Sequence, residues 1–276
     1  MKRRRPETPY DASDVLSSGS ICLYRNNADM RFGESDQHVL VETWDMPDDI
    51  PDAYTRLEAA ERKLAARHAF AWHPEFGYLS PIPGHCGTGL HVWAEFHLEG
   101  LNLIGDLQPV LAAMDALRLS AGGVDGDGIK NAAHVFRIWN DATLGIDERK
   151  LIRRMARIFD DLLKQELYAR QTLAEDNPRI LEDSVARALA ILRSARLLSP
   201  WELFDLLSPI LLAAGMGMIS GISKQEVRSL MTAQTTKPSL PPPSTRDEER
   251  RRDNRDAALA DRTNKRFARV DFIFHA

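Results

Sequence analysis

From Leu90 to Leu98 the chain alternates without a fault. Leu90, Val92, Ala94, Phe96 and Leu98 share one parity, and His91, Trp93, Glu95 and His97 share the other. A period of two sends successive side chains to opposite faces, so this segment is a strand with one apolar and one polar face. It is fed by a Pro/Gly loop, "SPIPGHCGTG". The loop has the shape of a catalytic loop, yet it lacks a plausible nucleophile paired with a base and has almost no positive charge.

The other elements arrange themselves around that strand. Residues 38–44, "HVLVETW", read as a strand, and 52–69 as a helix with Tyr54, Leu57 and Leu64 on one stripe. A helix is expected at about 105–117, a glycine-rich loop at "AGGVDGDG", and a strand at 134–139. A long amphipathic helix follows over 147–174 through Leu151, Met155, Ile158 and Leu162. This mixture predicts an α+β fold with a largely antiparallel sheet flanked by helices. After Asn177-Pro178 the pattern is helical only. Leu181, Val185, Leu189 and Leu192 form a stripe, and Ser199 to Glu202 and Ser223 to Glu226 are capping boxes. "LLSPILLAAGMGMISG" is apolar almost all round, as a buried helix or one packed on a partner would be. The expected division is a basic tail (1–12), an α+β domain (13–178), a small all-helical domain (179–233), and a Pro-rich linker with a mixed-charge, solvated tail (234–276). The final "RVDFIFHA" has the residues for a short strand or an apolar dock.

Composition narrows the function classes. The 276 residues are 43% hydrophobic, enough for a real core in one large or two small domains. A net charge of −4 gives no global argument for nucleic acid. "MKRRRP" is followed by polar residues rather than an apolar run, so it reads as a solvated tail and not a signal peptide. No apolar run approaches the roughly 18 residues of a membrane span. Cys22 and Cys86 make no CxxC pair and no disulfide framework, which points to a cytoplasmic protein with reduced thiols.

Three constellations have residue types suited to chemistry. The first is His73, His85, Cys86, His91 and His97. His91 and His97 lie roughly 20 Å apart along a strand and cannot clasp one metal. His85 and Cys86 are adjacent and point to opposite sides, so a half-buried thiol is expected rather than a nucleophile–base pair. The second is "GGVDGDGIKN", which echoes a calcium loop through Asp125 and Asp127. It fails at Ile129 and at Phe136, where the fifth and twelfth ligands would stand. No metal site is expected. The third is Glu34, Asp36 and His38, at alternate positions leading into a strand, suited to acid–base work or to a solvated loop.

In their order, these segments resemble the bacterial protein-arginine kinases of the ATP:guanido phosphotransferase family. "SDVLSSGSICLYRNNADMRF" (13–32) is similar to the family's opening Ser-Ser-Arg-Ile-Arg-Leu-Ala-Arg-Asn segment. "FGYLSPIPGHCGTGLHVWAEFHL" (76–98) is similar to its Gly-Tyr-Leu-Thr-Ser-Cys-Pro-Thr-Asn-x-Gly-Thr-Gly-x-Arg loop. "GGVDGDGIKNAAHVFRIWNDATLG" (122–145) resembles its Arg-Gly-x-x-Gly-Glu segment and Ser-Asn-x-x-Thr-Leu-Gly ending. The helical region 147–233 follows the helical part of these kinases, and "RDNRDAAL" (252–259) resembles their Arg-Asp-x-x-Arg-Ala phosphoarginine motif. A long stretch of sheet and helix that the family carries between the positions of Phe32 and Glu34 is missing.

The resemblance implies a site that moves the γ-phosphoryl group of ATP to a guanidinium nitrogen through a clamp of five arginines. This chain has Ser20, Cys22, Leu40, His91 and Gly122 at those positions. Of the five, only His91 has any capacity for positive charge, and an imidazolium does not replace a bidentate guanidinium. The reactive cysteine falls at Ile82, and the two substrate carboxylates fall at Asp36 and Asp127, each one methylene short. Arg252 and Asp253 match the phosphoarginine motif, but its second Arg is Asp256, with Arg251 and Arg255 near. Retained turn residues beside a lost clamp imply a pseudokinase with a binding or regulatory role. Such a protein needs no cofactor; ATP and Mg would be required only if activity persisted. Three alternatives stand beside it: an enzyme of altered chemistry using His38, His85, His91, Asp36 and Asp127, a phosphoarginine-binding module, and a remnant without function. The expected partners are a second copy or another protein, such as an arginine kinase or its activator. Nucleic acid and membrane are not expected.

Overall fold

The structure is a computed structural model that describes residues 16–26, 38–45, 50–80, 82–124, 132–235 and 246–272. Its centre is a five-stranded sheet of β1 (Leu16–Asn26), β2 (His38–Asp45), β5 (Leu90–His97), β6 (Leu119–Gly123) and β7 (Val135–Asn140), in the order β2-β1-β5-β7-β6. Every neighbouring pair in it is antiparallel. Short β3 (Trp72–His73) and β4 (Gly77–Tyr78) form a separate hairpin before the Pro/Gly loop. The α+β class is therefore correct.

The alternation in β5 decides which face is covered. Leu90, Val92, Ala94 and Phe96 are fully buried, together with Phe136 and Ile138 of β7. Helices α1 (Ile50–Ala65), α3 (Leu107–Ala116) and α4 (Glu148–Glu175) join them in one hydrophobic cluster. Phe159 of α4 sets its ring 5.4 Å from that of Phe96. The N-terminus of α4 is capped by Asp147, whose carboxylate accepts from the Lys150 amide at 2.9 Å.

Two sequence expectations needed correction here. The helix expected at 105–117 is α3 alone, and a separate short helix, α2 (Glu99–Ile104), precedes it, ended by Gly105 at φ +87°. The expected loop at "AGGVDGDG" begins as strand, since Ala121, Gly122 and Gly123 belong to β6 and pair with Ile138, Arg137 and Phe136.

A second hydrophobic cluster gathers α5 (Pro178–Ser194), α6 (Pro200–Gly215), α7 (Lys224–Thr235) and α8 (Arg246–Phe267). Of the stretch apolar all round, residues 206–215 are the second half of α6, with Leu207, Ile210, Leu211 and Leu212 buried, and the remainder turns into Ile219–Ser220. Ser199 caps α6 by accepting from the Glu202 amide, and at the second site the full capping box forms, Ser223 and Glu226 each accepting from the other's amide. Helix α8 is not solvated all round as the charge pattern suggested. Ala260, Thr263 and Phe267 are buried, and Asp271–Phe272 (β9) pairs with Ile219–Ser220 (β8). Among the described residues no helix is long and apolar enough to cross a membrane.

The two clusters meet at a buried polar junction. Glu166 of α4 accepts from the Gly100 and Leu101 amides at 2.9 Å each and from Arg170 Nε at 2.8 Å. Arg170 Nη2 reaches His97 Nδ1 at 3.3 Å, and His97 Nε2 lies 2.8 Å from Ser208 Oγ of α6. Ser208 donates to Glu99 at 2.6 Å, and Glu99 also pairs with His134 at 2.5 Å. A side chain at residue 100 would place its Cβ 2.8 Å from Glu166 Oε1, so glycine is what allows the carboxylate to cap α2.

Candidate functional site

The register of the sheet assigns the polar face. Cys22 pairs with His91 and Glu42, Ser20 with Trp93 and Trp44, and Tyr24 with Leu40. Trp93 pairs with Trp139, which pairs with Ser120; Glu95 pairs with Arg137, which pairs with Gly122. Directly paired residues share a face, so Ser20, Cys22, Leu40, His91 and Gly122 occupy one face of the sheet. Asp36 and Asp127 lie outside the described residues.

The strand positions of that face include a single Arg or Lys, Arg137. Its guanidinium is engaged twice. It lies 4.1 Å above the Trp93 ring and pairs with Glu95 Oε1 at 2.6 Å. At Gly122 a Cβ would stand 3.3 Å from Trp139 Cη2, so a clamp side chain there would require the indole to give by a few tenths of an ångström. Sequence reading missed Trp139 in this role, because it depends on the pairing of β6 with β7.

His91 does not supply a cation. Burial, and next the neighbouring His85, push its pKa from the ordinary 6.5 down to about 4. The two rings meet edge to face with centroids 5.0 Å apart. At neutral pH this favours the uncharged imidazole at that position. A group depressed on folding contributes stability above its unfolded pKa and loses it as pH falls through the folded one. The shift is worth about 3 kcal/mol, lost between pH 6.5 and 4. The His91→Gln variant should therefore lose less stability than the parent between about pH 7 and 4.5. Urea unfolding at the two pH values measures this, and equal losses would contradict it.

The loop itself is held by the residues that carry the resemblance. Gly87 and Tyr78 exchange backbone hydrogen bonds at 2.9 Å. Gly87 has φ +91°, and a Cβ there would meet Thr143 O at 2.4 Å. Thr143 Oγ1 sits within hydrogen-bond reach of Gly84 O at 2.7 Å and Cys86 O at 2.5 Å, while its carbonyl accepts from the Thr88 amide and hydroxyl. Asn140 accepts from the Val92 amide at 2.7 Å and donates to Leu90 O and Ala142 O. Thr143→Val keeps the shape but leaves the Gly84 and Cys86 carbonyls without this donor. It should cost about 1–3 kcal/mol and speed amide exchange over 84–88; unchanged exchange there would contradict it.

Ile82, at the reactive-cysteine position, is 43% exposed, and its amide donates to Ser80 Oγ. Cys86 is half-buried, as expected, with Sγ 3.5 Å from Ser80 O. His85 turns to His91, so the two neighbours form no nucleophile–base pair. Of the altered-enzyme set, His85 and His91 meet, and the register places His38 on the same face, opposite Asn26. Among the described residues no three His, Cys, Asp or Glu side chains group as a metal site. Arg252 of α8 lies 3.9 Å from Asp256 Oδ2, a loose i,i+4 surface pair. Asp253 is exposed.

Comparison with known proteins follows the same division. Residues 18–169 match the ATP:guanido phosphotransferase C-terminal catalytic domain. Residues 178–271 match the protein-arginine kinase McsB C-terminal domain. A protein-arginine kinase of Moorella thermoacetica is 34% identical over 182 residues, 66% of this chain and 52% of that protein. One of Pelotomaculum thermopropionicum is 34% identical over 192 residues, 70% and 51% respectively. The chain thus spans about half the length of these curated relatives. A substrate-free duplicated taurocyamine kinase from Schistosoma mansoni superposes with a TM-score of 0.48 at 12% identity, over 71% of this chain and 40% of that one. So partial a likeness carries no argument.

Proposed function

Because the chain belongs to the ATP:guanido phosphotransferase family through its catalytic domain, we propose that it is a protein-arginine-kinase-like pseudokinase with a binding or regulatory role. One observation carries this reading: among the described strand positions of the face that should grip a triphosphate there is a single guanidinium, and Arg137 is engaged by Trp93 and Glu95. Phosphoryl transfer is catalysed mainly by positioning and by cations aimed at the transferring oxygens. Here the clamp positions hold Ser20, Cys22, Leu40, Gly122 and a neutral His91, and Trp139 crowds the position of a side chain at Gly122. The Asn140–Thr143 hydrogen bonds still hold the loop in shape. Scaffold without clamp suits recognition of another protein, a second copy or an arginine kinase or its activator, in the cytoplasm.

The test is calorimetric titration with ATP and Mg, with phosphoarginine measured on a protein substrate. No binding below about millimolar ATP and no phosphoarginine are expected. Micromolar affinity or clear transfer overturns the proposal. The phosphoarginine-reader alternative gains nothing from the structure, since Asp256 places a carboxylate where the motif needs a second cation.

A further inference from the structure

Two consecutive residues, Ala133 and His134, have left-handed backbone angles, φ +64° and +50°. Neither is glycine, so the turn Ala132–His134 that leads into β7 is strained and must be held by its surroundings. Helix α6 supplies much of that hold. The Ala133 amide donates to Asp205 Oδ1 at 3.2 Å, and Ala133 is buried in the second cluster. His134 O accepts from the Leu98 amide at 2.9 Å. His134 Nδ1 lies 2.5 Å from Glu99 Oε2, the same oxygen that Ser208 of α6 reaches at 2.6 Å.

The partners assign the protons along this chain of contacts. Arg170 has only donors, so His97 Nδ1 accepts from it and His97 Nε2–H donates to Ser208 Oγ. Ser208 then donates to Glu99, which accepts from His134 as well. His97 is neutral, since burial, and then Arg170, His134 and Arg228 of α7, hold its pKa well below 6.5. His134 differs. Burial pushes its pKa down, but Glu99 of α2, Asp205 of α6 and Glu166 of α4 outweigh that and raise it above 6.5. Glu166 already has Arg170 as its countercharge, whereas Glu99 has His134.

We propose that His134 and Glu99 form a proton-operated latch between the turn and α6. With His134 protonated, the ion pair holds the strained turn in place. Once the proton leaves, the Glu99 carboxylate is buried without its countercharge and the turn is released. Stability that comes from a raised pKa is complete below the unfolded value and is lost as pH rises through the folded one. The latch is therefore closed in mild acid and opens on the alkaline side. The inference is independent of whether phosphoryl transfer is lost.

Amide hydrogen exchange on the full chain, corrected for the intrinsic rate at each pH, tests it. The Ala133 and Leu98 amides report directly, because one bonds to Asp205 and the other to His134 O. Between about pH 6 and about pH 9 their protection should fall about tenfold for each unit by which folding raises the His134 pKa. His134→Gln keeps a donor for Glu99 but does not titrate, and should hold its protection level over that range. Glu99→Gln keeps an acceptor for Ser208 and removes the charge that raises the His134 pKa, so its fall should begin at lower pH. A flat parent profile, an equal fall in His134→Gln, or an unmoved onset in Glu99→Gln would each overturn the proposal.

Discussion

Given ATP, Mg and an arginine-bearing protein, this chain is expected to form phosphoarginine at least about four decades more slowly than a relative that keeps its clamp. Losing one preorganised donor to a developing charge costs about 2.7–4 kcal/mol, and two independent losses already remove about four decades or more. Five positions are altered, and they act as a unit, so the losses do not simply sum. The geometry adds a condition that the list of substitutions alone would not reveal. Arginine at His91 and Cys22 would face each other across paired strands, but arginine at Gly122 would press its Cβ against Trp139. A variant with arginine at all five positions should therefore transfer phosphate faster once Trp139→Ser is added, because the indole no longer has to shift to admit the side chain at 122. Radiolabel transfer from ATP measures both steps. A parent rate within about a hundredfold of an active relative would refute the reading, and full recovery without Trp139→Ser would refute the role given to that indole.

What was legible in the sequence was whatever depended on short-range periodicity. The strand at 90–97 and helix α4 announced themselves because a half-buried strand and a one-sided helix leave periods of about 2 and 3.6 in the chain. The glycines of β6 did not, since Gly122 is in a strand through its backbone pairing with Arg137 of β7, a partner distant in sequence. The six-residue helix α2 was missed because it is too short to show a period; its N-terminus is held by Glu166, about 65 residues further on. The clamp positions could be named through the family resemblance, but their common face and the engagement of Arg137 needed the register. The charge state of His91 needed its burial and the approach of His85, neither of which a linear pattern encodes.

The same limit hid the junction between the two clusters, where the largest stability effect is expected. Glu166 and Arg170 stand four apart on α4, a spacing that on most helices marks a solvated pair worth a few tenths of a kcal/mol. Here both side chains are fully buried. Burial pushes the Glu166 carboxyl up, while Arg170 and the Gly100 and Leu101 amides pull against that shift. Removing one member leaves the other as an uncompensated charge in a dry site, so Glu166→Ala should cost about 3–5 kcal/mol. At about 2–4 °C per kcal/mol for a chain of this size, the melting temperature should fall by roughly 10 °C. Replacing both residues, Glu166→Leu with Arg170→Met, removes the orphaned charge and should recover part of the loss. Recovery should stop short of the parent, because the two amides at the start of α2 would still lack their acceptor. A Glu166→Ala variant melting within about 2 °C of the parent would show that the pair is hydrated after all, and a double variant no better than the single would locate the effect in the capping of α2 rather than in the buried charge.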